Sequence, residues 1–163
     1  MLFGSTALAH VHVLISLIGI LSGVVVLAGV LSGKRLDRWT ATFLASTVLT
    51  SVTGYFFPVH KLMPSHVIGG ISLIALAVAI VARYSKQMTG AWRKIYVASA
   101  MIALYLNVFV LIFQLFTKVP ALLALAPTQS EAPFLVTQVV VMLAFIVLTI
   151  FAVKRFPGEP AYA

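Results

Sequence analysis

Pro58-Val59-His60-Lys61-Leu62-Met63-Pro64-Ser65-His66 is a short polar break between two long apolar runs, residues 39–57 before it and 66–83 after it. Pro58 stops the first run, because proline lacks an amide hydrogen and its ring clashes with the preceding turn. Pro64-Ser65 is a start signal for the second, with Ser65 as N-cap and His66 in the first turn. Two helices broken so briefly fold back on each other.

Runs of this kind recur outward from the break. Residues 8–32, 39–57, 66–83, 95–117 and 134–153 are each long enough to cross a hydrocarbon core of roughly 30 Å at about 1.5 Å of rise per residue. Of the 163 residues, 62% are hydrophobic and 9% charged, more apolar material than one small soluble core can bury. The expectation is an all-α integral membrane bundle of five transmembrane helices, a single domain over residues 1–163 with the lipid bilayer as its first partner.

The formal charge of +8 would suggest nucleic acid in a soluble chain, but here its distribution points to topology instead. Lys34, Arg35, Arg38, Arg83, Lys86, Arg93, Lys94, Lys154 and Arg155 fall on one side of the alternating spans, and only Lys61 and Lys118 on the other. Cytoplasmic loops collect Lys and Arg, so the N-terminus is expected outside and the C-terminus in the cytoplasm, with no nucleic-acid partner. Residues 1–9 hold no Lys or Arg and the first run exceeds a signal-peptide core, so it reads as a retained helix. Trp39, Tyr84, Trp92 and Tyr96 mark the inner boundary, and Tyr55, Phe56 and Phe57 the outer one.

Within the spans, Gly19 and Gly23 form a small-xxx-small pair, and Gly69-Gly70 leaves a bare patch one turn below His66. Each invites a close neighbour: a helix of the same chain, a second copy in a homo-oligomer, or a flat cofactor. The second run carries Thr40, Thr42, Ser46, Thr47, Thr50, Ser51 and Thr53, hydroxyls able to bond their own i−4 carbonyls. Asn107 and Gln114, seven residues apart, share a helix face that should point into the bundle. Between Thr117 and Pro133, Ala121 to Ala126 suggests a turn or two of interfacial helix, then an extended strip leading to Gln138 in the last span.

The stretch Ala103-Leu104-Tyr105-Leu106-Asn107-Val108-Phe109-Val110, with Val119-Pro120-Ala121-Leu122 and Ala126-Pro127-Thr128-Gln129-Ser130-Glu131-Ala132-Pro133-Phe134, resembles a group of small bacterial inner-membrane proteins. The resemblance implies a multi-pass protein of the bacterial cytoplasmic membrane. It carries over no catalytic residue.

Chemistry is suggested by the histidines alone. Alternating spans put His10, His12, His60 and His66 on the outer face, where imidazoles can bind a transition metal directly or ligate a haem axially. In a regular helix i and i+2 point about 200° apart, so one histidine from each pair is the safer assignment, and His12 with His66 lie nearest the membrane. A haem b would use the faces at Gly19 and Gly69-Gly70, with Lys61 against its propionates. A mononuclear site would draw on His10, His12, His60 and His66, with Met63 or Glu131 in support. Either would serve electron transfer or redox chemistry at the periplasmic side, with a quinone or periplasmic electron partner. The opposing reading is a membrane accessory or assembly protein without cofactor.

Other classes lack their residues. Cysteine is absent, which excludes disulfides and thiolate sites. No Asp or Glu lies inside a span, against an ion-coupled transporter. No Gly-x-Ser-x-Gly or His-Glu-x-x-His occurs, against a hydrolase.

Overall fold

A computed structural model of the chain describes residues 2–57 and 64–157. Residues 58–63, and with them the candidate ligands His60, Lys61 and Met63, lie outside the described residues. Every described element is helical: α1 (Leu2–Leu31), α2 (Asp37–Gly54), α3 (Pro64–Ile80), α4 (Trp92–Lys118), the short α5 (Pro120–Leu125) and α6 (Ala132–Arg155). Four helices, α1, α3 with its continuation to Ser85, α4 and α6, are long and apolar enough to cross a membrane, the mark of a membrane protein. α2 is 18 residues long but hydroxyl-rich and less apolar.

The α1–α2 hairpin sets the frame. Gly33 adopts a φ of +71°, which glycine reaches without penalty, and the Lys34 amide returns to the Gly29 carbonyl at 2.8 Å to close α1. From that turn the helices run antiparallel. Gly29 lies against Leu36, Gly23 against Phe43, Gly19 against Ser46 and Thr47, and His12 against Thr53, so the partner's number rises as the first falls. Three of the α2 hydroxyls bond their own i−4 carbonyls as expected, Thr42 to Arg38 at 3.0 Å, Ser46 to Thr42 at 2.6 Å and Thr53 to Leu49 at 2.7 Å, whereas Thr50 Oγ1 is buried without a partner among the described residues.

α4 packs against α1, α2, α3, α5 and α6 and forms the centre of the bundle. Its Tyr96, Val97 and Leu104 join Val26, Phe43, Leu76 and Phe156 in the main core. A smaller cluster at the other end joins Ile112 and Phe116 of α4 to Ala126 and Phe134, with Leu122 of α5 packed against it. α6 turns Val136, Val140, Leu143, Val147 and Ile150 outward, an apolar face suited to hydrocarbon.

The structure departs from the sequence reading in several places. α3 begins at Pro64, not after a Ser65 cap, since proline is pre-set for the first helical position. It does not end as a regular helix: Val81–Ser85 forms a π turn, with the Lys86 amide bonded to the Val81 carbonyl at 2.9 Å. Gln87 and Met88 then take positive φ values of 49° and 56°, folding the buried Met88 side chain back under the bundle. The segment before α6 is compact and turn-like instead of extended, drawn together around Glu131. Asn107 is buried, but Gln114 is exposed. Gln114 sits in the last turns of α4, near Lys118, where an amide can meet water or headgroups and needs no place in the bundle.

Candidate functional site

The contacts divide the bundle into two polar ends. At the first, His12 on α1 reaches the end of α2: its Nδ1 lies 2.8 Å from Thr53 Oγ1, and its ring meets Phe57 edge-on with centroids 5.2 Å apart. The direction of that hydrogen bond follows from the threonine. When the Thr53 hydroxyl donates its one hydrogen to the Leu49 carbonyl, 2.7 Å away, it accepts from His12. His12 then carries its proton on Nδ1, and Nε2 presents a lone pair. A ligating histidine is typically held in this way, with the distal nitrogen donating to a neighbour that fixes the ring.

His66 occupies the same end, in the first turn of α3. The Tyr55 hydroxyl donates to the His66 backbone carbonyl at 2.7 Å, and the two rings lie 5.4 Å apart. The end of α2 thus stands between the two histidines, with Thr53 holding one and Tyr55 the other. His10 is exposed and, two residues from His12, projects from a different side of α1. Among the described residues no three His, Asp or Glu side chains come together as a metal-ligand group.

Glu131 is committed elsewhere. Its half-exposed carboxylate accepts from the Thr128 amide at 3.2 Å, the Thr128 hydroxyl at 2.9 Å and the Ser130 amide at 3.1 Å. A slight desolvation is outweighed by these bonds, beginning with the Thr128 hydroxyl, which hold the carboxyl below its ordinary pKa.

The glycine faces meet side chains of the chain itself. A Cβ at Gly19 would lie 3.1 Å from Thr47 Oγ1 and 3.2 Å from both Ser46 Oγ and Asn107 Nδ2, and one at Gly23 2.5 Å from Leu104 Cδ1. At Gly69 and Gly70 the neighbour is Tyr55, at 3.5 and 3.2 Å. Gly19 and Gly23 are buried against the chain's own side chains, while Gly69 and Gly70 are half-buried beside Tyr55. The buried amides serve the same packing. Asn107 donates to Thr47 Oγ1 at 3.5 Å and Gln138 to the Phe109 carbonyl at 3.1 Å, tying α4 to α2 and to α6.

The second polar end was not foreseen. Arg83, only 6% exposed, is ion-paired with Asp37 at the start of α2, and its guanidinium lies over the ring of Tyr96, 5.1 Å from the centroid. Tyr96, expected at the membrane boundary, is instead 1% exposed and packs on Phe156. Beside them Arg93 donates to the last carbonyls of α6, at Val153 (3.2 Å) and Phe156. One signal was available: that side holds only two carboxylates, Asp37 and Glu159, against nine cations, and Asp37 lies in the turn among three of them. Which of the nine it pairs with depended on the π turn, which no periodic pattern announces.

No family model matches this chain, and no curated protein or solved structure is significantly similar to it.

Proposed function

We propose that this is a five-span protein of the bacterial cytoplasmic membrane, N-terminus outside, that binds a transition-metal ion at its outer end through His12 Nε2. The ion would serve electron transfer or redox chemistry at the periplasmic face. The fifth span is α2: it runs alongside α1 from Leu36 to Thr53 and, at about 1.5 Å per residue, matches the hydrocarbon thickness. Orientation is supported by the nine cations at the end opposite the histidines. Reporter fusions after Gly33, Gln87 and Ala163 are expected to read cytoplasmic; periplasmic activity at any one of them overturns the topology.

The observation that carries the metal reading is the 2.8 Å bond between His12 Nδ1 and Thr53, which orients the ring and, with His12 as donor, leaves Nε2 available. His66 stands on the far side of the end of α2, so sharing the ion with His12 requires that end to yield between them, and a small ion suits the place better than a haem because Gly19 and Gly23 are buried against the chain's own side chains. What the chain contributes is positioning. Thr53 orients the imidazole, Phe57 covers its flank, and Tyr55 anchors the backbone of His66.

Protein purified without chelators from metal-replete cells is expected to carry a stoichiometric ion by elemental analysis. His12→Ala should empty the site, and Thr53→Val should weaken binding about 10–100-fold while the helices stay folded. Empty protein from replete cells overturns the reading. The burial of Gly19 and Gly23 against neighbouring helices and the use of buried amides as interhelical ties favour the second reading, a membrane accessory or assembly protein without cofactor, which that result would leave standing.

A further inference from the structure

At the basic end α4 and α6 are pinned together, because Arg93 of α4 donates to the Val153 and Phe156 carbonyls of α6. Further into the membrane they leave a gap. It forms a groove of about 280 Å3, with Met101, Ile102 and Tyr105 on the α4 wall and Met142, Ile146 and Ile150 on the α6 wall. Ile102, Ile146 and Ile150 are each about half exposed, so the groove opens along its length to the bilayer. Water does not settle between apolar walls of this kind, whereas hydrocarbon does, and two unbranched methionines let the walls adjust to it. The end of the groove nearest Arg93 is charged. Lys94 lies seven residues before Met101 and eleven before Tyr105, on the same face of α4, and Lys154 follows Ile150 by one turn of α6. Both lysines are exposed, and among the described residues neither has an anionic partner. Asp37, the one described carboxylate at this end, is taken by Arg83.

We propose that this groove holds an anionic phospholipid, with one acyl chain lying between α4 and α6 and the headgroup phosphate between Lys94 and Lys154. The charge at the mouth selects the occupant. A soluble phosphate gains from the lysines alone, and a zwitterionic lipid fills the groove but brings a cation of its own beside them; an anionic lipid gains from both walls and mouth. The depth agrees. The exposed rings of Trp39 and Tyr84 set this end at headgroup level, and lysine stems can lie along an apolar rim with their ammonium groups there. Arg93 acts by positioning, since its donation to the last carbonyls of α6 holds the two rims at one spacing.

The test is lipid retention by the full-length chain, released from maltoside micelles into a mass spectrometer after titration with phosphatidylglycerol or with phosphatidylcholine of the same acyl chains. One phosphatidylglycerol should stay bound at concentrations where phosphatidylcholine does not. Lys94→Ala together with Lys154→Ala should weaken that binding about 25-fold, at about fivefold for each lysine near a headgroup. Arg38→Ala together with Lys86→Ala removes the same charge from the α2 and α3 side of this end and should leave binding unchanged. Ile146→Trp, whose indole would lie in the groove, should lower retention with both lysines in place. All five positions are exposed, so the variants are expected to fold, and helical circular dichroism checks that they do. Should Ile146→Trp unfold, Ile150→Trp on the same wall replaces it. Equal binding of the two lipids, or equal loss in both double variants, would mean diffuse charge and no site. Retention untouched by the tryptophan would mean a headgroup contact with no chain in the groove. Any of these results overturns the proposal.

Discussion

Replacing Gly23 by Val is expected to cost about 3 kcal/mol of bundle stability, at the upper end of what overpacking a core exacts. The added Cβ would stand 2.5 Å from Leu104 Cδ1 and 2.9 Å from Phe43 Cδ2. Neither neighbour can retreat, because Leu104 and Phe43 are both wholly buried and each touches the next layer of the core. Either α1 moves away from α2 and α4 together, or both side chains leave their rotamers. Gly69→Ala is the internal control. There the Cβ would sit 3.5 Å from the Tyr55 ring, ordinary contact, so the better helix propensity of alanine should make the change neutral or stabilising by up to about 1 kcal/mol. Unfolding in mixed micelles of increasing SDS fraction measures both, and equal responses would refute the assignment of Gly23 to a closed interface.

The two halves of the Arg83–Asp37 pair should respond unequally, although they share one interaction. Asp37→Asn leaves a buried guanidinium without its anion and is expected to cost about 2–3 kcal/mol, below the range for fully buried pairs because one partner stands in water. Arg83→Met removes the buried charge itself. The carboxylate it abandons simply hydrates, and an unbranched apolar chain refills the space beside Tyr96, so the loss should stay within about 1 kcal/mol. Thermal unfolding in phosphate-free micelles reports the order. If Arg83→Met proves the worse of the two, the guanidinium carries more of the bundle through Tyr96 and Met88 than through its counter-ion.

How far the chain could be read beforehand differs between its parts. The helices themselves were plain, because apolar runs, Gly33, Pro58 and Pro64 are local signals and each marks an end within a few residues. So was the back-bonding of Thr42, Ser46 and Thr53, which depends on nothing beyond the helix they belong to, though Thr50 departs from it. Pairings between helices were not plain. Gly69-Gly70 demanded a close neighbour, yet nothing local says that Tyr55 supplies it. The histidines fall between these cases. Alternation brought His12 and His66 to one end, as their contacts with Thr53 and Tyr55 bear out. The hydroxyl that orients His12 lies 41 residues away and was counted only as part of a polar face. Tyr96 was misjudged for a general reason: an aromatic ring near a span's end reads as an interfacial anchor unless a buried cation is known to lie beneath it.

The π turn at the end of α3 has a meaning for the ancestry of the chain. A turn of this kind accommodates one residue more than a regular helix would hold, so it behaves as a single-residue insertion absorbed without breaking the span. Without that residue the positions beyond it would turn by about 100°, parting Arg83 from Asp37 and Tyr96 together. Descendants of a common ancestor should then differ as a set. Those with the longer segment keep an arginine, a tyrosine and an aspartate at these three positions, and those one residue shorter have released all three. Length, not composition, would be the inherited character by which the lineages divide.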